Sequence, residues 1–520
     1  MSNISLKGNE KIIFEAFSFE AQGTKIGFEK ESLRILNNSI SQARHQSKLG
    51  SSLLNKYITT DFSEAQLEFV TPPFTNKKNA IEFLDNAHHF VSHNIDSEII
   101  WPFSAPPYID LEEKIPIANY GTSNLAMFKH IYRNGLSNRY GKFMQVISGF
   151  HFNYSVSGSF WEIIANEKMD SKSEDISDLR SSYYFNQIRN IYRYNWLIIY
   201  LFGASPIVSE SFIGNEKELF KKLKKNIFYL PYATSLRMSS YGYKNGRRDM
   251  QKVSVNSLEK YISDIIHATE ATHPEFQNIE TIQSGERSQI NENILQIDDE
   301  YYAVARAKSE SIKNFRTTTK LKEGGVDFIE LRSLDLNPFS RIGIDEDCIS
   351  FLEVFLAYCF IKQDSFFIDD DMQRIDHNDQ LVATKGRQDK LKLLRDKDYI
   401  SLKQWGLEII DCLYPIAEVM DDDERIYAKS LDTAKERLEH SSLTLSSQIL
   451  DEVKKMNGSY HNLGIDLATR NKNHYLHREK STNKYWDEFE QEASRSTNEQ
   501  KALEEMDNSS FGVFLESYFR

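Results

Sequence analysis

Cysteine and proline are both scarce in this sequence of 520 residues. There are three cysteines, an odd number, and no two of them share a Cys-x-x-Cys spacing. This pattern argues against a disulfide framework or a zinc ribbon and favours a reducing compartment. There are only 11 prolines, and no long linker rich in proline, glycine and serine divides the chain. We therefore expect residues 1–365 and a mainly helical part, residues 366–520, to pack against each other, either as two domains or as one.

Long apolar runs and export signals are missing as well. The most apolar stretch, residues 195–204, is too short to span a bilayer, and the N-terminus lacks the basic-then-apolar pattern of a signal peptide. The 76 acidic residues outnumber the 63 lysines and arginines, and the net charge is −13. A general nucleic-acid binder needs the opposite balance to displace counterions. These absences predict a cytoplasmic protein that binds neither membranes nor nucleic acid.

The glycine-rich motifs that hold phosphates or activate a serine are also absent. The chain contains no GxxxxGK[ST] phosphate loop, no GxGxxG and no GxSxG. If the protein binds a nucleotide, the phosphates must therefore be bound by metal ions and side chains, because no glycine-rich backbone loop is available to bind them.

The chain does contain clear helical and strand patterns. Apolar residues at helical spacing predict helices over residues 79–95, 123–136, 183–202 and 345–362. Alternating polar and apolar residues predict strands over residues 26–35, 65–71, 146–156, 290–298, 300–308 and 326–334. Strands mixed irregularly among helices favour an α+β fold over a regular βαβ alternation.

Several of the predicted strands place charged side chains on a single face. Residues two apart in a strand share a face, so Glu29 and Glu31 lie together, as do Glu330 and Arg332. The ordinary interpretation is a sheet with one face in water. The alternative is that these faces converge in a sheltered cleft, where mutually repelling carboxylates need bound cations. The side chains that would converge are Glu29, Glu31, Asp61, Glu68, His151 and Glu330.

A convergent set of this composition would suit a particular kind of metal ion. Carboxylate oxygens are hard ligands and tolerate one imidazole among them, so Mg²⁺ or Mn²⁺ is the expected ion. Such ions, together with arginine and lysine, commonly bind and orient the phosphates of ATP. The pattern therefore indicates an ATP-dependent enzyme if the faces do converge, which spacing alone leaves open.

Eight segments, in order and nearly without large gaps over about residues 20–360, resemble one known family. They are "GFEKESLRI", "YITTDFSEAQLEFVTP", "ANYGTSNLAMFKHIYRNGLSNRYG", "MQVISGFHFNYS", "YLFGASP", "YLPYATSLRMS", "QINENILQIDDEYYA" and "FIELRSLDLNPFSRIGID". Together they look like the bacterial, proteobacterial-type glutamate–cysteine ligase, the first enzyme of glutathione synthesis. The C-terminal third is similar to this family only in its length and helical character.

The resemblance implies a fold, a reaction and a set of partners. The fold would be that of the glutamine-synthetase-like carboxylate–amine ligases, a curved antiparallel sheet forming a funnel with helices on its outside. The reaction would join the γ-carboxylate of L-glutamate to the amine of L-cysteine through a γ-glutamyl phosphate, using ATP and Mg²⁺, with Mn²⁺ as an alternative. Family members are often inhibited by glutathione, and we expect a monomer.

The resemblance also implies roles for individual residues. Arg332 looks like the family's arginine over the transferring phosphate, and Arg306 and Lys308 would contact the nucleotide. The segment "YYAVARAK" has Val304 and Ala307 where the family pattern has two prolines. The implied metal ligands are Glu29, Glu31, Asp61, Glu68, His151 and Glu330. The implied cysteine pocket contains Tyr132, Arg237, Tyr243 and Tyr302, with Phe62, Leu136 and Gln145 nearby.

Two alternatives to this reading stay open. A ligase of the same fold could use a different acceptor amine, which would need a different enclosure from the one that Tyr132, Arg237 and Tyr243 would form. A non-catalytic relative would have lost metal ligands, yet all six are present.

Overall fold

We analysed a computed structural model, which describes residues 8–168, 175–213, 217–224, 226–242, 253–283, 286–310, 316–368 and 370–519. Its helices are α1 Asn9–Glu20, α2 Lys77–Asn94, α3 Asn124–Tyr140, α4 Lys142–Gln145, α5 Gly158–Lys168, α6 Ile176–Phe202, α7 Glu210–Ile213, α8 Leu258–Glu270, α9 Pro274–Gln277, α10 Thr317–Gly324, α11 Glu346–Ile361, α12 Asp371–Lys385, α13 Leu402–Met420, α14 Ile426–Glu439, α15 Leu445–Lys455, α16 Tyr460–Leu476, α17 Trp486–Met506 and α18 Phe511–Phe519. Its strands are β1 Lys25–Leu36, β2 Ser39–Ile40, β3 Ile58–Thr60, β4 Gln66–Val70, β5 Ile99–Ile100, β6 Phe150–Ser155, β7 Ile207–Ser209, β8 Lys221–Lys224, β9 Ile227–Tyr229, β10 Ile282–Gln283, β11 Glu286–Arg287, β12 Ala305–Lys308, β13 Phe328–Leu334, β14 Lys392–Arg395 and β15 Asp398–Ser401.

An antiparallel sheet forms the centre of the fold. Its strand order is β12-β13-β6-β1-β4-β3, and β2 and β5 pair with the far end of β1. The register pairs Glu29 with His151 and Glu31 with Glu68, so these side chains are cross-strand neighbours. An antiparallel sheet among many helices confirms the predicted α+β class.

The apolar face of this sheet packs against helices. Phe28 on β1 is fully buried, and its ring centroid lies 5.4 Å from that of Phe150 and 5.6 Å from that of Phe152, both on β6. Helix α6 contacts β12 and β13, while α2 contacts β1 and β4. Burying one such phenylalanine contributes roughly 1.5–3 kcal/mol. Because side chains alternate along a strand, the same packing turns the polar residues of these strands to the opposite face.

The four predicted helices are present and begin at identifiable caps. The Ser123 hydroxyl accepts a hydrogen bond from the backbone N–H of Ala126 at the start of α3, and the Asp345 carboxylate accepts one from Cys348 N–H at the start of α11. Such caps satisfy backbone donors that have no partner in the first turn.

The strand predictions need three corrections. Residues 290–298 are not a strand, since Gln296 Oε1 accepts from Ile290 N–H and Glu300 Oε2 accepts from Gln296 N–H, so local side chains bond the backbone there. Only Ala305–Lys308 of the predicted strand 300–308 pairs with a neighbour. In the predicted strand 146–156, pairing starts only at Phe150.

The C-terminal helices pack on the first part of the chain. Helix α11 contacts α13 and α14, and one buried apolar cluster includes Phe351, Leu413 and Phe489. The division near residue 365 stays a prediction. No helix within the described ranges is both long enough and apolar enough to cross a membrane.

Candidate active site

A cavity of about 990 Å³ lies over the polar face of the sheet. Side chains of β1, β4, β6, β12 and β13 line it on one side. Helix α3 and the C-terminal helices α17 and α18 line it on the other side. The cavity therefore lies between the sheet and residues from the far end of the chain.

The six side chains predicted to converge do so in this cavity. We call them the acidic cluster: Glu29, Glu31, Asp61, Glu68, His151 and Glu330. His151 lies among three of the carboxylates. Its Nδ1 is 3.3 Å from Glu29 Oε2 and 3.3 Å from Glu330 Oε1, and its Nε2 is 3.5 Å from Glu31 Oε1. The interpretation of a solvated sheet face is therefore wrong for these strands.

The acidic cluster has the donor set of a site for a hard metal ion. Ligand atoms of Glu29, His151 and Glu330 all lie within 4.8 Å of one another. Burial and the nearby Asp61 carboxylate raise the pKa of Glu31 to about 8. Burial and the same carboxylate also hold the pKa of Glu68 well above its ordinary value. Buried carboxylates that resist ionisation in this way are stabilised by a bound cation, so the residues present fit Mg²⁺ or Mn²⁺.

Two positively charged side chains, Arg332 and Lys308, contact the Glu330 carboxylate at one end of the cluster. Arg332 Nη1 donates to Glu330 Oε1 at 2.7 Å, and Lys308 Nζ lies 3.1 Å from Glu330 Oε2. Burial opposes ionisation of Glu330, but the charges of Arg332 and Lys308 outweigh burial and lower its pKa well below the ordinary value. The cavity therefore has a cationic edge beside its anionic centre, as binding of a phosphate chain requires.

Arg306 lines the cavity, but its guanidinium donates hydrogen bonds to backbone carbonyls of the protein. Its Nη2 donates to the Asp299 carbonyl at 2.8 Å, and its Nε donates to the Tyr301 carbonyl at 3.1 Å. The predicted nucleotide contacts of Arg306 and Lys308 stay predictions.

A group of aromatic and amide side chains forms a second part of the cavity. We call it the tyrosine pocket: Phe62, Tyr132, Leu136, Gln145 and Tyr302. The Tyr302 hydroxyl donates to Gln145 Oε1 at 3.1 Å. Tyr132 and Tyr302 belong to the predicted cysteine pocket and lie in this group. That the group binds cysteine stays a prediction.

One member of the predicted cysteine pocket, Arg237, is described and does not line the cavity. Arg237 is buried behind it, where its Nη2 donates to the Arg332 carbonyl at 3.0 Å. Its Nη1 lies 3.9 Å from Asp335 Oδ1, and the side chain borders a smaller neighbouring cavity. Tyr243 lies outside the described residues.

Sequence reasoning missed two cations on α3. Lys129 and Arg133 line the cavity, and Arg133 Nη1 donates to the Lys129 carbonyl at 3.0 Å. Burial, reinforced by the charge of Arg133, lowers the pKa of Lys129 to about 8. Helical spacing could have found them, because Lys129, Tyr132 and Arg133 recur at intervals of three and four residues along one face.

Sequence reasoning also missed a wall supplied by the end of the chain. We call it the C-terminal wall: Leu503, Met506, Asp507, Phe514, Ser517 and Tyr518. No local pattern connects these residues with the sheet, because only tertiary packing brings them together.

Comparisons with known proteins show which family the chain resembles. A family model described as glutamate–cysteine ligase matches residues 15–382. Glutamate–cysteine ligase from Alcanivorax borkumensis is 37% identical over 508 residues, which is 96% of each chain. The same-named protein from Aliivibrio salmonicida is 37% identical over 506 residues, again 96% of each chain.

Solved structures agree as well. A crystal structure of glutamate–cysteine ligase from Francisella tularensis in complex with AMP superposes with a TM-score of 0.89 at 32% identity, covering 96% of this chain and 97% of that one. A bifunctional glutathione synthetase from Pasteurella multocida has a TM-score of 0.69 at 23% identity, covering 89% of this chain and 53% of that one, which shows the fold alone. The predicted glutamine-synthetase-like ligase fold is confirmed.

Proposed function

The chain belongs to the glutamate–cysteine ligase family, and from that premise we propose that it joins the γ-carboxylate of L-glutamate to the amine of L-cysteine. ATP is converted to ADP and phosphate, and the product γ-glutamylcysteine is the first intermediate of glutathione synthesis. The observation that carries this proposal is the acidic cluster with Arg332 and Lys308 at its edge, in one cavity with the tyrosine pocket.

The acidic cluster is proposed to hold Mg²⁺, with Mn²⁺ as an alternative. All six of its residues are candidate ligands, and His151 supplies the only nitrogen among them. When bound, the metal neutralises charge on the phosphates and on the carboxylates themselves. Burial lowers the pKa of His151 below its ordinary value, and the charge of Arg332 lowers it further. The imidazole is therefore neutral and available as a ligand.

The first step converts a poor acylating agent into a good one. An oxygen of the glutamate γ-carboxylate attacks the γ-phosphorus of ATP, and the bond from that phosphorus to ADP breaks. Arg332 is proposed to stabilise the equatorial oxygens of the group in transfer, as Glu330 holds its guanidinium in place at 2.7 Å. Lys308 Nζ forms an ion pair with Glu330 Oε2 and adds positive charge beside Arg332.

The second step forms the amide bond. The uncharged cysteine amine attacks the carbonyl carbon of γ-glutamyl phosphate, the bond to phosphate breaks, and the nitrogen gives up a proton. Tyr132 and Tyr302 are proposed to enclose the cysteine side chain, with Tyr243 added from the family resemblance. The same resemblance implies that Arg237 pairs with the cysteine carboxylate, which would require its guanidinium to leave the Arg332 carbonyl. Lys129 and Arg133 supply positive charge near the Glu68 carboxylate for anionic substrates.

Further properties are proposed on the same family basis. They are inhibition by glutathione, a monomeric state and a cytoplasmic location. The AMP complex of the Francisella tularensis ligase supports nucleotide binding as a property of this chain.

The test is an assay of ADP release with L-glutamate, ATP and Mg²⁺, run with and without L-cysteine. We expect ADP release to depend on cysteine and mass spectrometry to detect γ-glutamylcysteine. Release with another amine but not with cysteine would overturn the acceptor while leaving the ligase chemistry. No release with any amine would favour a non-catalytic relative.

A further inference from the structure

Helix α18 is held against the active-site cavity at both of its ends. Just before it, Asp507 Oδ1 accepts a hydrogen bond from Asn124 Nδ2 at 2.6 Å, and the same carboxylate accepts from Asn124 N–H at the start of α3. A carboxylate at this position also interacts favourably with the dipole of α3. At the far end, Arg316 Nη1 donates to the Phe519 carbonyl at 3.5 Å while its Nη2 binds Asp298 at 2.7 Å.

Between these two anchors, α18 contacts the helix that carries Tyr132. The ring centroid of Tyr518 lies 4.4 Å from that of Phe128, and the centroid of Phe514 lies 5.8 Å from it. Phe128 is one turn before Tyr132 on α3, and both Tyr132 and α18 pack against the buried apolar cluster that contains Phe128. Phe514 and Tyr518 are half-buried and line the cavity, whereas Val513 in the same helix is 58% exposed and does not.

The proposed reaction needs an active site that is closed to water. Its intermediate, γ-glutamyl phosphate, is an acyl phosphate that water can attack as well as an amine. Attack by water on the carbonyl carbon breaks the bond to phosphate and returns glutamate, so that ATP is hydrolysed without product. Closing an active site against water prevents such side reactions.

We propose that Phe514 and Tyr518 of α18 are positioning residues that exclude water from the tyrosine pocket, so that the acyl group passes to the amine and not to water. They act through Phe128 and the α3 face that carries Tyr132, and not by contact with the reacting atoms. This inference rests on the proposed function and concerns how efficiently ATP use is coupled to product.

The test compares Phe514→Ala and Tyr518→Ala with the unaltered full-length protein. ADP and γ-glutamylcysteine are measured in the same reactions, with and without cysteine, in water enriched in ¹⁸O. We expect both variants to raise the ratio of ADP to γ-glutamylcysteine severalfold and to release ADP without cysteine. Glutamate recovered from these reactions should carry ¹⁸O, because water attacks the carbonyl carbon.

Two further variants separate this role from general damage. Val513→Ala changes the exposed side of the same helix and should keep the ratio of the unaltered protein. Tyr518→Phe keeps the ring and should restore coupling that Tyr518→Ala loses. Circular dichroism and thermal unfolding check that all four variants fold.

The proposal is overturned if the alanine variants lose ADP and γ-glutamylcysteine in equal proportion, with an unchanged ratio. Label found only in phosphate would also overturn it, since water would then have attacked phosphorus. Failure of the unaltered protein to form γ-glutamylcysteine would instead overturn the proposed function itself.

Discussion

The acidic cluster and the C-terminal wall line the same cavity, and they are built differently. The acidic side chains come from neighbouring strands of one sheet, where backbone pairing sets Glu29 beside His151 and Glu31 beside Glu68. The C-terminal wall comes from α17 and α18 and is held by ring packing and a few anchors. The comparison indicates that the sheet supplies charges at defined positions, while the helices supply enclosure.

This difference predicts a hierarchy of effects. Substitutions on the sheet side should damage the chemical step or metal binding, and substitutions on the helical side should damage substrate affinity or coupling. The three predictions below test that hierarchy, starting from the largest expected effect.

Arg332→Ala should lower turnover by roughly 10²-fold or more, because the transferring phosphoryl group loses a preorganised cation. Turnover is measured at saturating ATP, glutamate and cysteine, so that weaker binding cannot produce the loss. Arg332→Lys is the matched variant, and it should recover only part of the rate, since an ammonium lacks the guanidinium fork. Near-normal turnover of Arg332→Ala would remove this residue from the mechanism.

Glu29→Gln should raise the Mg²⁺ concentration needed for half-maximal activity by on the order of 10-fold, because a charged ligand becomes neutral. A Mg²⁺ titration of ADP release measures this shift. Glu162→Gln, which changes an exposed carboxylate on α5, serves as the control and should leave the titration unchanged. If Glu29→Gln also titrates normally, the acidic cluster does not bind the metal.

Lys129→Met should raise the KM for glutamate by about 3-fold to 10-fold at neutral pH, because it removes a positive charge that α3 is proposed to supply for anionic substrates, an effect of roughly 1 kcal/mol. The pKa of Lys129 is about 8, since burial lowers it. The amine is therefore charged below pH 8 and neutral above it, so the KM of the unaltered protein should rise as pH passes 8.

KM measured from pH 6.5 to 9.5 checks both parts of this expectation. Lys129→Arg stays charged throughout and should flatten the rise. A rise that persists in Lys129→Met would assign the pH dependence to another group.

The sequence predicted the site residues on the sheet better than it predicted those on the helices. Glu29 could be assigned to the same face as Glu31, and Glu330 to the same face as Arg332, because side chains alternate strictly along a strand. The segment 290–298 also alternates, but Gln296 and Glu300 bond the local backbone, so the pattern there was misleading. Arg237 was placed with the cysteine pocket, yet its guanidinium is buried behind the cavity on the Arg332 carbonyl.

By itself the sequence determined the α+β class, the polar strand faces and the resemblance to one ligase family, because these depend on local periodicity and on motifs in order. Only the tertiary structure decided that the six acidic-cluster side chains meet, and that Phe514 and Tyr518 line the same cavity. Strand pairing and helix packing join residues that are distant in the chain, and the register and crossing of such elements depend on the whole core.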